Sequence, residues 1–283
     1  MNNKQQKTAF VLEGGAMRGL YSAGVLDTLM QNNISCDTIY GVSAGALFGM
    51  NFKSKQIGRA IRYNLKYSHN KHYMGLYSLI TTGNIMNRDF CFNKLVNELD
   101  PLDFETFEKT PIDFFAVVTN VEKGCAEYFK IADAKRDLEK LRASGSMPFV
   151  SKLVEVEGEK YLDGAISDPI PFKKALAEGH EKIIVVLTRP ENYAKHKEHL
   201  PYGIFYSKYP NFIKCANKQF EIYNETLKLI KKYENEGKII VLRPSKNLNI
   251  ARVEKNLKKL EAIHKLGVDD CTSSLAKIKE YLA

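Results

Sequence analysis

The sequence predicts an α/β fold in three layers, with a mainly parallel sheet between two layers of helices. In the first half, short apolar runs typical of strands alternate with helical patterns, which is the rhythm of βαβ units. In order, these are a strand at residues 8–12, a helix at 20–30, a strand at 38–40 and a helix from Ser43. Two further runs, FFAVVT at 114–119 and IIVVLT at 183–188, are apolar without alternation, as expected of strands that helices bury on both faces.

The domain organisation follows from length and composition. A chain of 283 residues fits one sizeable α/β domain with a smaller appendage. After Pro190 the pattern changes to helices rich in Lys and Glu, interrupted by one strand-like run at residues 238–243. We therefore expect an α/β domain at residues 1–195 and a mostly helical C-terminal extension at 196–283.

The overall composition excludes several classes of protein. Hydrophobic residues make up 44% and charged residues 27% of the chain, which argues against disorder and fibrous repeats. The five cysteines are scattered and show no CxxC spacing, which argues against a disulfide framework and a zinc site. The polar N-terminus lacks the pattern of a signal sequence, and no window of about 18 apolar residues is present. We therefore expect a soluble, cytoplasmic protein that holds no metal.

The formal net charge of +9 favours an anionic partner. Nucleic acid is not expected, because no basic and aromatic recognition motif accompanies the charge. The aromatic and basic stretch at residues 53–77 is a candidate for peripheral contact with an anionic membrane. The excess charge also fits cations spread over solvated helix faces, for example at Lys255, Lys258 and Lys259. The charge alone does not choose between these interpretations.

The strongest chemical motif is Gly41-Val42-Ser43-Ala44-Gly45, which lies between a short strand and an apolar helix. The pattern GxSxG is short enough to occur by chance, so its position matters more than its letters. Between a strand and a helix it favours a nucleophile elbow, a sharp turn that lifts the serine hydroxyl above the sheet. The N-terminus of the following helix also favours negative charge there. Ser43 is therefore a candidate nucleophile.

A second turn between a strand and a helix reads EGGAMRG at residues 13–19. Turns of this kind expose backbone N–H groups, and a serine nucleophile needs such donors to stabilise a tetrahedral oxyanion. The N–H groups of Gly14, Gly15 and Ala16, with that of Ala44, are candidate donors. The alternative is a dinucleotide-binding turn, although the second glycine of GxGxxG is replaced here.

A serine nucleophile needs a base, which in hydrolases with GxSxG is usually a histidine late in the chain. The histidines of this chain occupy segments that do not position them for this role: His69, His72, His180, His196, His199 and His264. Asp163 is the better candidate, because it ends a short strand and precedes Gly164, which allows a tight turn. A partly desolvated carboxylate can accept the proton of a serine hydroxyl. An ordinary Asp-Gly turn is the alternative.

The glycine-rich turn, GxSxG and the later Asp-Gly-Ala stand in the order found in the patatin-like phospholipases, which this sequence resembles. The resemblance spans residues 8–190. RASGSMP at 142–148 and SDPIP at 167–171 are similar to further segments of that family. LEGGAMRGLYSAGVLD at 12–27 is especially like a subgroup of small bacterial members, in which a helical tail follows the patatin domain.

The resemblance implies that residues 1–195 form a patatin-like catalytic domain that hydrolyses lipid acyl esters without a cofactor. Ser43 and Asp163 would form a Ser-Asp dyad and proceed through an acyl-enzyme, with residues 14–19 as the oxyanion loop. The remaining motif glycines are Gly19, Gly41, Gly45 and Gly164. A carboxylesterase or thioesterase with the same dyad, and a non-catalytic lipid-binding regulatory protein on this scaffold, are the alternatives.

Three residues near the motifs require a structure for their interpretation. Ala16 stands where the family commonly has a third glycine, which matters only if this position needs a positive φ. Asp168 stands where many relatives have Asn and would place a second carboxylate near Asp163. Arg18 is a candidate for steadying the loop or holding a phosphate.

Overall fold

An eight-stranded sheet forms the centre of the computed structural model, which describes residues 7–247 and 249–283. Its strands are β1 (Thr8–Leu12), β2 (Thr38–Val42), β3 (Asp113–Asn120), β4 (Cys125–Lys130), β5 (Val154–Val156), β6 (Glu159–Asp163), β7 (Lys182–Val186) and β8 (Ile239–Leu242). β1 pairs in parallel with β2 and β7, β2 with β3, and β7 with β8. β4 and β6 pair antiparallel with β3, and β5 pairs antiparallel with β6. The predicted, mainly parallel sheet is confirmed.

Helices connect and cover these strands. They are α1 (Leu20–Gln31), α2 (Ala44–Lys53), α3 (Arg59–Tyr67), α4 (Leu76–Thr82), α5 (Phe104–Lys109), α6 (Leu138–Ser144), α7 (Phe172–Ala177), α8 (Tyr202–Phe205), α9 (Pro210–Asn217), α10 (Gln219–Asn235) and α11 (Leu257–Leu282). Short 3-10 turns occupy Ala16–Gly19 and Gly164–Ile166, and a π-helix occupies Phe90–Leu99. Among the described residues, no helix is both long and apolar enough to cross a membrane.

Three layers result because every strand in the middle of the sheet is apolar on both faces. In β1, Phe10 and Leu12 face a core shared with α1, α2 and α11. Ala9 and Val11 face the opposite core, to which α7 and α10 contribute. All four side chains are completely buried. The period-2 alternation of a strand therefore fills both cores at once, and the predicted three-layer α/β/α class is confirmed.

Some elements carry too weak a sequence signal to predict. β4 is solvated along its length, and β5 has only three residues, so neither shows the continuous apolar run of the inner strands. The stretch at 53–93, which has no strand pattern, contains α3, α4 and the start of the π-helix. Three of its tyrosines, Tyr63, Tyr67 and Tyr73, are buried. They therefore pack inside the molecule, whereas Tyr77 is exposed.

The C-terminal extension packs closely onto the first part of the chain. β8 extends the sheet by pairing with β7, and α11 lies across α1. The two helices touch at Gly24 and Gly267. A Cβ added to Gly24 would lie 2.1 Å from the carbonyl oxygen of His264, and a Cβ added to Gly267 would lie 2.1 Å from that of Tyr21. The predicted boundary at residue 195 falls in the segment 187–201, which contains neither helix nor strand.

Candidate active site

Ser43 lies at a strained turn between β2 and α2. Its backbone has φ 54° and ψ −122°, a sparsely populated region that costs about 1–3 kcal/mol for a residue other than glycine. The turn is tight because the chain passes close on both sides. A Cβ added to Gly41 would lie 2.6 Å from the Cα of Ala46, and a Cβ added to Gly45 would lie 2.4 Å from the carbonyl oxygen of Leu12. Small residues at these positions therefore permit the elbow.

Strand pairing brings Asp163 to Ser43. The last pair between β2 and β3 joins Val42 to Val117, and β6 then continues along the same edge of β3, where Asp163 lies opposite Val118. The ends of β2 and β6 therefore meet. The Ser43 hydroxyl donates a hydrogen bond of 2.7 Å to Oδ2 of Asp163, although the two residues are 120 positions apart in the chain.

Asp163 is held firmly and is shielded from water. The residue is 3% exposed, and its carboxylate accepts a second hydrogen bond, of 2.9 Å, from the N–H of Ala165. Gly164 is needed for this approach, because an added Cβ would lie 2.3 Å from the carbonyl oxygen of Val117. Burial raises the pKa of Asp163 from its ordinary value of 3.8 to about 6. This carboxylate therefore has a higher proton affinity than an exposed one.

The glycine-rich loop lies directly beside Ser43. At Gly14 an added Cβ would lie 2.9 Å from the Ser43 Cβ, and at Gly15 it would lie 2.7 Å from the hydroxyl oxygen of Thr188. The N–H groups of Gly15, Ala16 and Ala44 make no hydrogen bond within the described residues. They are therefore available as hydrogen-bond donors next to Ser43.

Ala16 adopts the left-handed backbone conformation that the third glycine of the family pattern would favour. Its φ is +50°. This conformation costs an L-residue about 1–2 kcal/mol. The methyl group is therefore tolerated with strain, and the N–H of Ala16 keeps its position.

Arg18 and Gly19 follow in the 3-10 turn that continues the loop. The Nε of Arg18 is buried without a hydrogen-bond partner in the described part of the chain. Burial lowers the pKa of Arg18, and the nearby Arg189 lowers it further. At Gly19 an added Cβ would lie 2.7 Å from the Ala44 Cβ, so this glycine lets the loop pack onto the start of α2.

Ser144 is a contact that sequence reasoning missed. Its hydroxyl accepts a 2.9 Å hydrogen bond from the N–H of Ser43 and donates a 2.7 Å bond to the carbonyl oxygen of Val117. Ser144 therefore ties the elbow to β3. Ser144 belongs to the RASGSMP segment, which is similar to a segment of the family. The segment alone does not indicate what the Ser144 hydroxyl contacts.

Glu13 is a second missed contact. It is buried, and its carboxylate accepts hydrogen bonds from the N–H of Thr188 and from the hydroxyl of Tyr223 on α10. Glu13 therefore joins the ends of β1 and β7 to the C-terminal extension. Burial raises its pKa, because its hydrogen bonds only partly compensate for the loss of solvent.

The model of the patatin-like phospholipase family matches residues 10–176, more than half of the chain, and this range includes Ser43 and Asp163. The chain belongs to the patatin-like phospholipase family. A second model, a domain of unknown function, matches residues 209–283. The patatin-like part therefore ends before the last strand of the sheet, which lies within the second match.

Relatives of this patatin-like chain include proteins of several lengths. Protein YjjU of Escherichia coli is 30% identical over 189 residues, 65% of this chain and 52% of that protein. Lysophospholipase NTE1 of Saccharomyces cerevisiae is 25% identical, covering 93% of this chain and 16% of that protein. The probable lipid hydrolase 463L of Invertebrate iridescent virus 6 is 24% identical, covering 93% of this chain and 87% of that protein. The chain thus spans about half of YjjU and a small part of NTE1.

Among solved structures, VipD from Legionella pneumophila has 12% sequence identity to this patatin-like chain and a TM-score of 0.47. The match covers 96% of this chain and 67% of that one.

Two pockets meet at Ser43 in this patatin-like site. The apolar pocket lies beside α2 and α3, and its lining includes Leu47, Phe48, Met50, Met74, Met86, Phe92, Leu95 and Val96. The polar pocket is lined by Asp163, the glycine-rich loop and several charged side chains. Ser43 and Ala16 line both pockets. A substrate that reacts at Ser43 can therefore place one part in each.

The remaining candidate groups have other partners than Ser43 and Asp163. None of the six histidines lines either pocket; His180 contacts Tyr40, and His264 pairs with Asp27. Asp168 accepts a 2.7 Å hydrogen bond from Tyr128 on β4, and burial raises its pKa to about 6. Burial, and not Asp168, is the largest cause of the raised pKa of Asp163. In the described residues, no three His, Cys, Asp or Glu side chains gather as a potential metal site.

Proposed function

We propose that this protein is a lipid acyl hydrolase that cleaves fatty acyl esters through a Ser43–Asp163 dyad. The observation that carries the proposal is the 2.7 Å hydrogen bond between the Ser43 hydroxyl and the buried carboxylate of Asp163, at the junction of an apolar and a polar pocket. The names of the relatives agree, because one is a lysophospholipase and another a probable lipid hydrolase. Membership of the patatin-like family supports the same assignment.

The geometry supports a two-step mechanism. Asp163 accepts the hydroxyl proton while the Ser43 Oγ attacks the ester carbonyl carbon, and the N–H groups of Gly15, Ala16 and Ala44 stabilise the oxyanion. The tetrahedral intermediate then collapses, the C–O bond to the alcohol breaks, and Asp163 returns the proton to the leaving oxygen. In the second step Asp163 takes a proton from a water molecule, which attacks the acyl carbon. The bond between this carbon and the Ser43 Oγ then breaks, and Asp163 returns the proton to Oγ as the fatty acid leaves.

The apolar pocket is the proposed site of the fatty acyl chain. It begins at Ser43 and is walled by methionine, leucine and phenylalanine side chains that can contact a hydrocarbon chain closely. A chain in this pocket leaves water, which favours binding by about 0.8 kcal/mol for each CH₂ group buried. A long acyl chain is therefore preferred to an acetyl group.

The test compares wild type with Ser43→Ala and Asp163→Asn on p-nitrophenyl esters of increasing chain length and on a panel of phospholipids. Each variant should lose at least about 10³-fold in kcat/KM while it stays folded. Asp168→Asn is the matched control, because Asp168 is also a buried carboxylate with a pKa of about 6. A long-chain alkyl fluorophosphonate should label Ser43 covalently.

The outcome also separates the alternatives. Full activity of Asp163→Asn would mean that another base operates. A preference for short acyl chains would favour a general carboxylesterase, and a preference for acyl thioesters would favour a thioesterase. The absence of both turnover and labelling would favour a lipid-binding protein.

We also propose that the site faces a lipid surface. The large apolar side chains most exposed to solvent lie on α4 and α8, namely Leu76, Ile80, Ile204 and Phe205. α4 is the tip of an excursion closed by a β-bridge between Met74 and Met86, which line the apolar pocket. α8 packs against Phe149, which lines the polar pocket. Both exposed helices therefore border the entrance to Ser43.

A further inference from the structure

Four cations surround the polar pocket beside Ser43: Arg18, Arg189, Lys195 and Arg252. Arg18 follows β1, Arg189 and Lys195 follow β7, and Arg252 follows β8. These three strands are parallel neighbours, so the segments after them meet at one edge of the sheet. Three of the four cations lie outside residues 10–176, the range of the patatin-like family model.

The cations lack close counterions. Within the described residues, Arg18, Arg189 and Lys195 form no ion pair, and Arg252 has only a 3.9 Å contact with Glu198, both side chains being largely exposed. Burial lowers the pKa of both Arg18 and Lys195. The charge of Arg189 lowers the pKa of Arg18 further, whereas for Lys195 the opposing effect of Glu198 is larger than that of Arg252. Cations grouped in this way repel one another unless an anion lies among them.

The carboxylates that face the same pocket are already engaged. Glu13 binds Thr188 and Tyr223, Asp163 binds Ser43 and Ala165, and Glu198 is the distant partner of Arg252. Even with all three carboxylates ionised, they number one fewer than the four cations of the pocket. The polar pocket therefore has an excess of positive charge directly beside the reactive hydroxyl.

We propose that this pocket binds the phosphate of a phospholipid head group, with Arg189 and Lys195 as specificity-determining contacts. The inference rests on the proposed function, since it concerns the same ester substrate and places the alcohol part of that ester in the polar pocket. With the acyl chain in the apolar pocket and the ester at Ser43, the glycerol leads into the polar pocket. The phosphate is only a few bonds from the ester, within reach of arginine and lysine donors, and such charge-assisted hydrogen bonds are strong.

The experiment measures kcat/KM for two substrates with the same acyl chain, a lysophosphatidic acid and the neutral monoacylglycerol, in the same uncharged detergent micelles. Wild type should prefer the phosphate-bearing substrate. Arg189→Gln and Lys195→Met should each lower kcat/KM for that substrate about tenfold, mainly by raising KM, and leave hydrolysis of the monoacylglycerol unchanged. Lys197→Gln is the matched control, since Lys197 is an exposed cation in the same segment and does not line the pocket.

The outcomes separate this inference from the proposed function. Equal losses on both substrates, or no loss on either, would overturn the phosphate assignment while ester hydrolysis stands. Hydrolysis of neither substrate by wild type would count against the proposed function itself. A free phosphate ion as the natural occupant would show as an effect of inorganic phosphate on monoacylglycerol hydrolysis without selectivity between the two lipids, and this result would also overturn the head-group assignment.

Discussion

The residue that sets the chemistry of the proposed dyad is Asp163. Its side chain is almost completely buried, yet among the described residues its carboxylate accepts hydrogen bonds only from Ser43 and Ala165. Desolvation raises the pKa more than these two bonds lower it, and the result is about 6. The carboxylate is therefore still ionised at neutral pH, and it holds a proton more firmly than an ordinary aspartate.

This pKa predicts the pH dependence of activity. A base must be deprotonated to act, so activity should be lost as the pH falls through about 6, and not near the ordinary value of 3.8. The measurement is kcat/KM for an uncharged ester between pH 4.5 and 8, with unfolding monitored in parallel. An acid limb near pH 4 would contradict a buried base.

Ser144→Ala tests the positioning of the nucleophile. Without this hydroxyl, the N–H of Ser43 and the carbonyl oxygen of Val117 lose their partner, which should lower the free energy of unfolding by about 1–3 kcal/mol. We expect kcat to fall about tenfold with little change in KM, because the elbow shifts while the apolar pocket keeps its shape. Ser146→Ala is the control, since the Ser146 hydroxyl contacts only the carbonyl oxygen of Arg142. Equal effects of both substitutions would refute the positioning role.

At the scale of elements, α10 supports the proposed oxyanion loop. Its Tyr223 donates a 2.7 Å hydrogen bond to Glu13, which directly precedes the glycines of the loop. Glu13 also holds the N–H of Thr188 at the end of β7. A helix of the C-terminal extension is therefore linked to the proposed oxyanion loop through the carboxylate of Glu13.

Tyr223→Phe should weaken this link. The buried Glu13 would lose one of its partners, which should cost about 1–3 kcal/mol of unfolding free energy and lower kcat several-fold through a less ordered loop. Tyr233→Phe on the same helix is the matched control, because the Tyr233 hydroxyl makes no hydrogen bond within the described residues and its ring packs on Phe172. Unchanged kcat in Tyr223→Phe would show that the loop is ordered without α10.

The crossing of α1 and α11 gives a second prediction at this scale. At Gly267 a methyl group would lie 2.1 Å from the carbonyl oxygen of Tyr21, so Gly267→Ala must push the helices apart. We expect the free energy of unfolding to fall by about 1–3 kcal/mol, as for overpacked cores. Chemical denaturation measures this change, with Gly203→Ala as the control because nothing lies within 4 Å of its added Cβ. Equal stability of the two variants would contradict the close crossing.

At the scale of the whole molecule, the carboxyl edge of the sheet carries all the proposed functional features. Ser43, the glycine-rich loop and the four cations of the polar pocket follow strands that end there. The exposed apolar helices α4 and α8, which we propose to face lipid, lie next to residues that line the two pockets. Lys71, Lys152 and Lys255 lie around α4 and form no ion pair with a described carboxylate. This face therefore combines apolar and cationic groups, as a peripheral lipid-binding surface requires.

This arrangement predicts binding to vesicles that contain an anionic phospholipid. Ile80→Glu and Phe205→Glu should each weaken binding about tenfold or more, and binding should also decrease with salt. Co-sedimentation with vesicles at low and high salt measures both effects. Ile57→Glu is the control: Ile57 is similarly apolar and 45% exposed, but it follows the far end of α2, which runs back from Ser43 to the opposite edge of the sheet. Salt-insensitive binding, or equal loss in all three variants, would contradict this orientation.

Sequence patterns predicted the inner strands and the first two helices to within about two residues. β1 and β7 could be predicted because strands buried on both faces need unbroken apolar runs. β4 and β5 could not be predicted, because an edge strand is partly solvated and lacks an unbroken apolar run. Such a strand forms because it pairs with a neighbouring strand that is distant in the sequence or lies across a turn. The same limit applies to Tyr63 and Tyr73, which are buried in a stretch whose basic composition indicates a surface.

What the sequence by itself determined about this protein is local: the strand-to-helix turn at Ser43, the glycines that permit it, and the short motifs that indicate the family. These features depend on neighbouring residues, so their physical causes are present in a short stretch of chain. Only the tertiary structure decided that Asp163 reaches Ser43 at 2.7 Å, that Ser144 and Tyr223 support the site, and that cations from three segments share one pocket. Such contacts join residues far apart in the chain, and strand pairing and core packing bring them together.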